Sequence, residues 1–104
     1  MVSYPIHIRR DGYRGSDPKE RAKSQAINQV ASKLESHINE RLKAQLEPIR
    51  VYTYHEIASQ TGMDYETVRN LGYSIDAGGG GFTAYKVGLT QEQAMDRAAQ
   101  GKNE

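Results

Sequence analysis

Gly62 sits inside the stretch Tyr54–Leu71, between two short segments that each carry one apolar face. Upstream, Ile57 and Ala58 are the inward pair. Downstream, Val68 and Leu71 are three residues apart, the spacing that puts two side chains on one side of a helix. A residue just past a helix C-terminus often takes positive φ, which glycine adopts with no Cβ penalty. Two positions later, Asp64 has a carboxylate that can accept from the free N–H groups of Glu66 or Thr67 and so start a new helix. The stretch therefore predicts two short helices at a sharp angle, crossing closely at the small Ala58.

The flanks supply other elements. Asp17-Pro18 with Glu20 is a helix start: the Asp caps, the Pro needs no N–H partner, and the Glu can reach back to the cap's N–H. Ile27, Val30, Leu34, Ile38, Leu42 and Leu46 then recur at helical spacing until Pro48 stops the run. About 30 residues at 1.5 Å each predict a rod roughly 45 Å long. Such a rod outreaches the small domain after it. It can pack on a second copy, fold back against residues 1–15, or leave its first turns solvated; the homodimer is the preferred expectation. Ile49 to Thr53 alternate and are rich in β-branched residues, which predicts a strand. Tyr73 and Ile75, a run of four glycines, and the alternation Phe82 to Val87 predict a hairpin with a glycine-rich tip. Residues 89–100 read as a helix with Leu89, Ala94, Met95 and Ala98 inward, capped by a Thr90/Gln93 box.

At Ile57-Ala58, Gly62-Met63, Val68 and Leu71 the sequence resembles the helix-turn-helix DNA-binding motif. Thr61 departs from it, where the family more often has an apolar residue. With the strand before it and the hairpin after it, residues 18–87 resemble the winged helix-turn-helix family. The resemblance implies an α+β, mainly α fold: long first helix, short strand, two-helix motif, β-hairpin wing and C-terminal helix. The expected division is a basic N-terminal arm over 1–16, the winged domain over 17–88, and a C-terminal helix and tail over 89–104. It implies double-stranded DNA as partner, with the second motif helix in a major groove. Arg69 is then the first choice for a base contact, by the fork of its guanidinium, and Asn70 the second. Tyr65 and Thr67 suit phosphates. Lys86 and the bare backbone of Gly78 to Gly81, with Gly79 and Gly80 central, form the wing contact. Arg9, Arg10 and Arg14 of the arm can fork onto phosphate oxygens.

Charge argues the other way. Through Arg50 there are ten Lys/Arg against six Asp/Glu, a net +4; from Val51 onward there are four against seven, a net −3. DNA binders normally present a basic face, and here the motif half is acidic. A winged-helix module that docks another protein, using its acidic face and tyrosines, is the alternative.

The 104 residues contain no cysteine, which excludes disulfides, thiolate metal sites and a cysteine nucleophile. His7, His37 and His55 fall in three different elements with no second histidine at helical spacing, so no metal and no cofactor are expected and an enzyme is not. No apolar run approaches the ~20 residues of a membrane span, and Met1 to Arg14 lacks a signal peptide's apolar centre. The expectation is a cytoplasmic, sequence-specific transcriptional regulator, small, dimeric and repressor-like, of a kind suited to a phage or plasmid.

Overall fold

The computed structural model describes residues 1–76 and 79–102. Its elements run α1 (Pro18–Ala44), β1 (Ile49–Thr53), α2 (Tyr54–Thr61), α3 (Tyr65–Gly72), β2 (Gly81–Tyr85) and α4 (Gln91–Lys102). Among the described residues the fold is α+β and mainly helical, with four helices and one two-stranded antiparallel sheet.

Asp17 caps α1 by accepting from the Lys19 N–H at 3.0 Å, with Pro18 next. Glu20 does not reach back. It pairs with Lys23 at 3.5 Å, and the Asp17 N–H donates to the Tyr13 hydroxyl instead. Leu34, Ile38 and Leu42 are buried, as their spacing predicts, but the rest of the stripe is not: Val30 is half-buried, with its neighbour Ala31 buried in its place, Ile27 is 47% exposed and Leu46 81%. Leu46 falls off the stripe because the helix stops at Ala44, after 27 residues. Gln45 leaves helical geometry (ψ 125°) and buries its amide. That amide accepts from the Tyr52 hydroxyl at 2.8 Å and donates to the Ala84 carbonyl at 3.1 Å.

Of the three expected ways to accommodate the long rod, the structure contains the fold-back. The N-terminal segment runs antiparallel along α1, clamped by helix side chains. The Ile6 N–H donates to Asn39 Oδ1 and the Ile8 N–H to Glu35 Oε1, each at 2.8 Å. The Asp11 N–H donates to Asn28 Oδ1 at 2.7 Å, and Asn28 Nδ2 returns to the Asp11 carbonyl at 3.1 Å. Ile6 and Ile8 are buried and His7 between them is exposed, the alternation of a strand. The segment is nonetheless no strand, because polar side chains of α1 take its backbone hydrogen bonds.

β1 pairs with β2 in antiparallel register, Tyr52 opposite Phe82. Those two rings stack at 5.3 Å, and Tyr54 leans on Phe82 from the start of α2. The predicted hairpin does not form. Tyr73 to Ile75, expected as its first strand, continue in tight turns off α3: Ser74 Oγ donates to the Leu71 carbonyl, and the Ile75 and Asp76 N–H groups both donate to the Gly72 carbonyl. The other edge of β2 is taken by the N-terminus. The Val2 N–H donates to the Thr83 carbonyl and the Tyr85 N–H to the Val2 carbonyl, each at 2.9 Å. A two-residue alternation at Tyr73 and Ile75 is too short to separate a strand from a turn with one side chain in the core.

α4 lies against β1 and starts with the expected reciprocal box, Gln93 N–H to Thr90 Oγ1 and Thr90 N–H to Gln93 Oε1. Ala94 is buried; Met95, predicted inward, is exposed.

Candidate nucleic-acid interface

The glycine turn forms as the sequence dictates. Gly62 has φ +72°, and Asp64 caps α3 through the Thr67 N–H at 3.4 Å. Val68 is buried and Leu71 packs against the core from its edge. Two tighter contacts fix α3 on the body. The Tyr54 hydroxyl donates to the Gly72 carbonyl at 3.0 Å, and its ring lies where a Gly72 side chain would be: a Cβ there would stand 2.4 Å from the Tyr54 ring. Burial pushes the Tyr54 hydroxyl up to about 12, with Asp76 adding to the shift. The aromatic stack of Tyr65 on His55, 3.9 Å between centroids, holds the start of α3 to α2.

The expected contact residues divide between two flanks of α3. Arg69 lies on one, 4.0 Å from Glu66, with its side chain 42% exposed. Tyr65 is on the same side, half-buried by its stack on His55. Thr67 and Asn70 lie on the other flank and, with Leu71, face the N-terminal half of α1. There they line a 380 Å³ trough whose opposite wall is Ala26, Ile27 and Val30. This trough continues into a more polar one of 540 Å³, where Asn70 meets Arg9, Arg10, Tyr73 and Ser74. The arm's arginines and α3's Asn70, far apart in sequence, thus share one groove. The Arg9 N–H donates to Ser74 Oγ at 3.1 Å, which fixes the arm beside the end of α3.

The other sequence-predicted residues do not join them. Arg14 is exposed further along the arm. Lys86 and Gly80 stand at opposite ends of β2. The Lys86 N–H donates to the Pro48 carbonyl, and the Gly80 carbonyl accepts from the Tyr54 N–H at 3.1 Å. Gly79 has φ +91°, a conformation suited to glycine. Gly78 lies outside the described residues. With no hairpin, these positions form the approach to β2 rather than a wing.

Much of the positive charge in the first half of the chain is engaged internally. Arg41 and Arg50 both reach Glu56 Oε1 at 3.1 Å, and Gln60 accepts from Arg41 as well. Both guanidiniums also lie over the Tyr52 ring, at 5.4 and 5.0 Å. Arg10 pairs with Glu35 at 3.2 Å. The Ile8 N–H, more than the Arg10 guanidinium, holds the Glu35 carboxyl below the usual range. Sequence reasoning missed the polar side chains that assemble these contacts: Asn28, Glu35, Asn39, Gln45 and Glu56. Their partners are backbone groups, cations and, for Gln45, the Tyr52 hydroxyl, brought near by the fold, so no local pattern marks them.

Among the described residues, no group of three His, Asp or Glu side chains could hold a metal ion, and no helix is long and apolar enough to cross a membrane. Comparison with family models, with curated proteins and with solved structures gives no match.

Proposed function

We propose that this chain binds double-stranded DNA, with α3 entering the major groove and the N-terminal arm supplying cations beside it. One observation carries the reading. The acidic helix pair does not stand alone, because fold-back of the arm puts Arg9 and Arg10 in the same groove as Asn70 of α3. Glu66, Arg69 and Asn70 front solvent. On this reading Arg69 forks onto a guanine, and Asn70 reads a base from the groove's rim. Tyr65 and Thr67 meet phosphates near the helix start, and Arg9, Arg10 and Arg14 follow the backbone. A small dimeric transcriptional regulator, repressor-like, is the role that fits a reader of this size.

Titration on duplex DNA at two salt concentrations tests it. Binding is expected to weaken steeply with salt, because neutralised phosphates release counterions. Arg69→Ala should weaken the selected site by ~1–3 kcal/mol while sparing random duplex. Arg9→Ala with Arg14→Ala should weaken all sequences alike and flatten the salt slope.

A second reading has its own support. The 380 Å³ trough is mainly apolar, and a surface of that kind suits a protein partner better than phosphates. Absence of DNA binding even at low salt would leave the protein-docking module as the function.

A further inference from the structure

We infer that Lys19 and Lys23 of α1 form a second row of phosphate contacts, laid alongside α3 on the strand that borders its groove. The inference rests on the DNA reading and extends it to a part of the fold outside the helix pair and the arm.

The placement of charge in α1 is the observation to be explained. From Arg9 to Val30 the chain carries six Lys/Arg against three Asp/Glu, whereas the whole chain carries fourteen against thirteen. Every residue from 9 to 23 is exposed. Lys19, Arg21 and Lys23 stand in the first two turns of α1, where the helix dipole favours acids, and only Glu20 there agrees with it. Helix stability therefore does not account for these cations. Arg21 has a structural task, because its guanidinium donates to the Gly15 carbonyl at 3.4 Å and holds the turn between arm and helix. Lys19 and Lys23 have none of that kind.

Their position is set by the helix. Lys19, Lys23, Ala26 and Val30 succeed one another at steps of four, three and four, so they share one face. Ala26 and Val30 wall the trough opposite Thr67 and Asn70 of α3. The two lysines continue that wall beyond it, roughly 5 and 10 Å further along the rod. A major groove is about 12 Å wide, so with α3 inside it one bordering strand passes over the neighbouring α1.

The acids nearby are occupied elsewhere or weakly. Asp17 accepts from the Lys19 N–H as the cap, and Glu35 holds Arg10 and the Ile8 N–H. The Asp11 backbone is fixed to Asn28. On α3, Asp64 serves as the cap and Glu66 lies 4.0 Å from Arg69. Glu20 alone touches the row, 3.5 Å from Lys23, with both side chains at least half exposed. Such a pair contributes little, and a phosphate can replace its carboxylate.

Lys19→Gln with Lys23→Gln tests this in the full chain, titrated on duplex DNA over a range of salt. The slope of log affinity against log salt should fall by about two, since each neutralised phosphate contributes about 0.9. Selected and random duplex should weaken alike, unlike the effect of Arg69→Ala. Lys19→Arg with Lys23→Arg should restore the slope. The melting temperature of the glutamine pair should hold or rise, because two cations leave the positive end of the helix dipole. Lys43→Gln, exposed at the far end of α1, should leave the slope as it is. Binding with an unchanged slope after loss of both lysines, or an equal fall with Lys43→Gln, would overturn the row and leave the DNA reading standing. Failure of the unaltered chain to bind duplex at low salt would overturn both.

Discussion

The two halves of α1 obey one sequence rule and end in different environments. From Ala31 to Leu42 the apolar stripe is sealed beneath α2, Tyr52 and the buried Ile6 and Ile8. From Asp17 to Val30 the same periodicity continues, but its largest member, Ile27, faces solvent. Hydrophobic spacing thus says that a helix forms and which side is apolar. It does not say what covers that side. Truncating each half sets the comparison at its widest. Leu34→Ala should lower unfolding free energy by about 2–5 kcal/mol in a urea melt, whereas Ile27→Ala should lower it by under about 1 kcal/mol in a dilute monomer. An Ile27→Ala effect that grows with protein concentration would show that a second copy covers the position.

The same distinction marks how far the sequence could be read. Gly62, the Asp64 cap, Val68 and the Thr90/Gln93 box are local: each joins groups within a few residues, so chain chemistry alone predicts them. The β1 strand was also legible, from β-branched alternation, whereas its pairing with β2 comes from the fold. The hairpin was not, because the edge of β2 goes to Val2, about eighty residues away in sequence. The site divides likewise. The motif helix could be placed from its spacing, but the sharing of a groove by Arg9, Arg10 and Asn70 follows only from the arm's return along α1.

Two glycines repeat that contrast on a smaller scale. Gly62 is needed for its backbone: φ is +72° and a Cβ would meet nothing within 4 Å. Gly72 is needed for space, since the Tyr54 ring lies against it and the ring is itself buried and hydrogen-bonded. Gly72→Ala should therefore cost about 1–3 kcal/mol and disturb the angle of α3, while Gly62→Ala costs about 1 kcal/mol and leaves it in place. Tyr54→Phe in the Gly72→Ala background should leave most of that cost in place, because the ring carbons that meet the new Cβ remain. The Tyr54 hydroxyl adds a sign to check. Its pKa is raised in the folded chain, so its contribution is complete below about pH 10 and is lost as pH climbs towards about 12. Tyr54→Phe should lack that part of the alkaline transition.

The smallest expected effect lies within the arm, where neighbouring clamps differ in one respect. The Ile6 N–H is held by an amide, Asn39, and the Ile8 N–H by a carboxylate, Glu35. An amide does not titrate. The Glu35 carboxyl does, and it is held below its ordinary 4.5 chiefly by the Ile8 N–H. A depressed carboxyl contributes stability that is complete above the unfolded value and lost as pH falls through the folded one. Amide exchange, corrected for the intrinsic pH dependence, should therefore show protection at Ile8 declining below about pH 4.5 while protection at Ile6 holds. Glu35→Gln should abolish the difference and change global stability by less than about 1 kcal/mol, as the exposed Arg10 partner adds little. Parallel loss of protection at both residues would mean that the arm leaves α1 as one unit. In that case Arg9 and Arg10 would be released from the groove they share with Asn70 together with the rest of the arm.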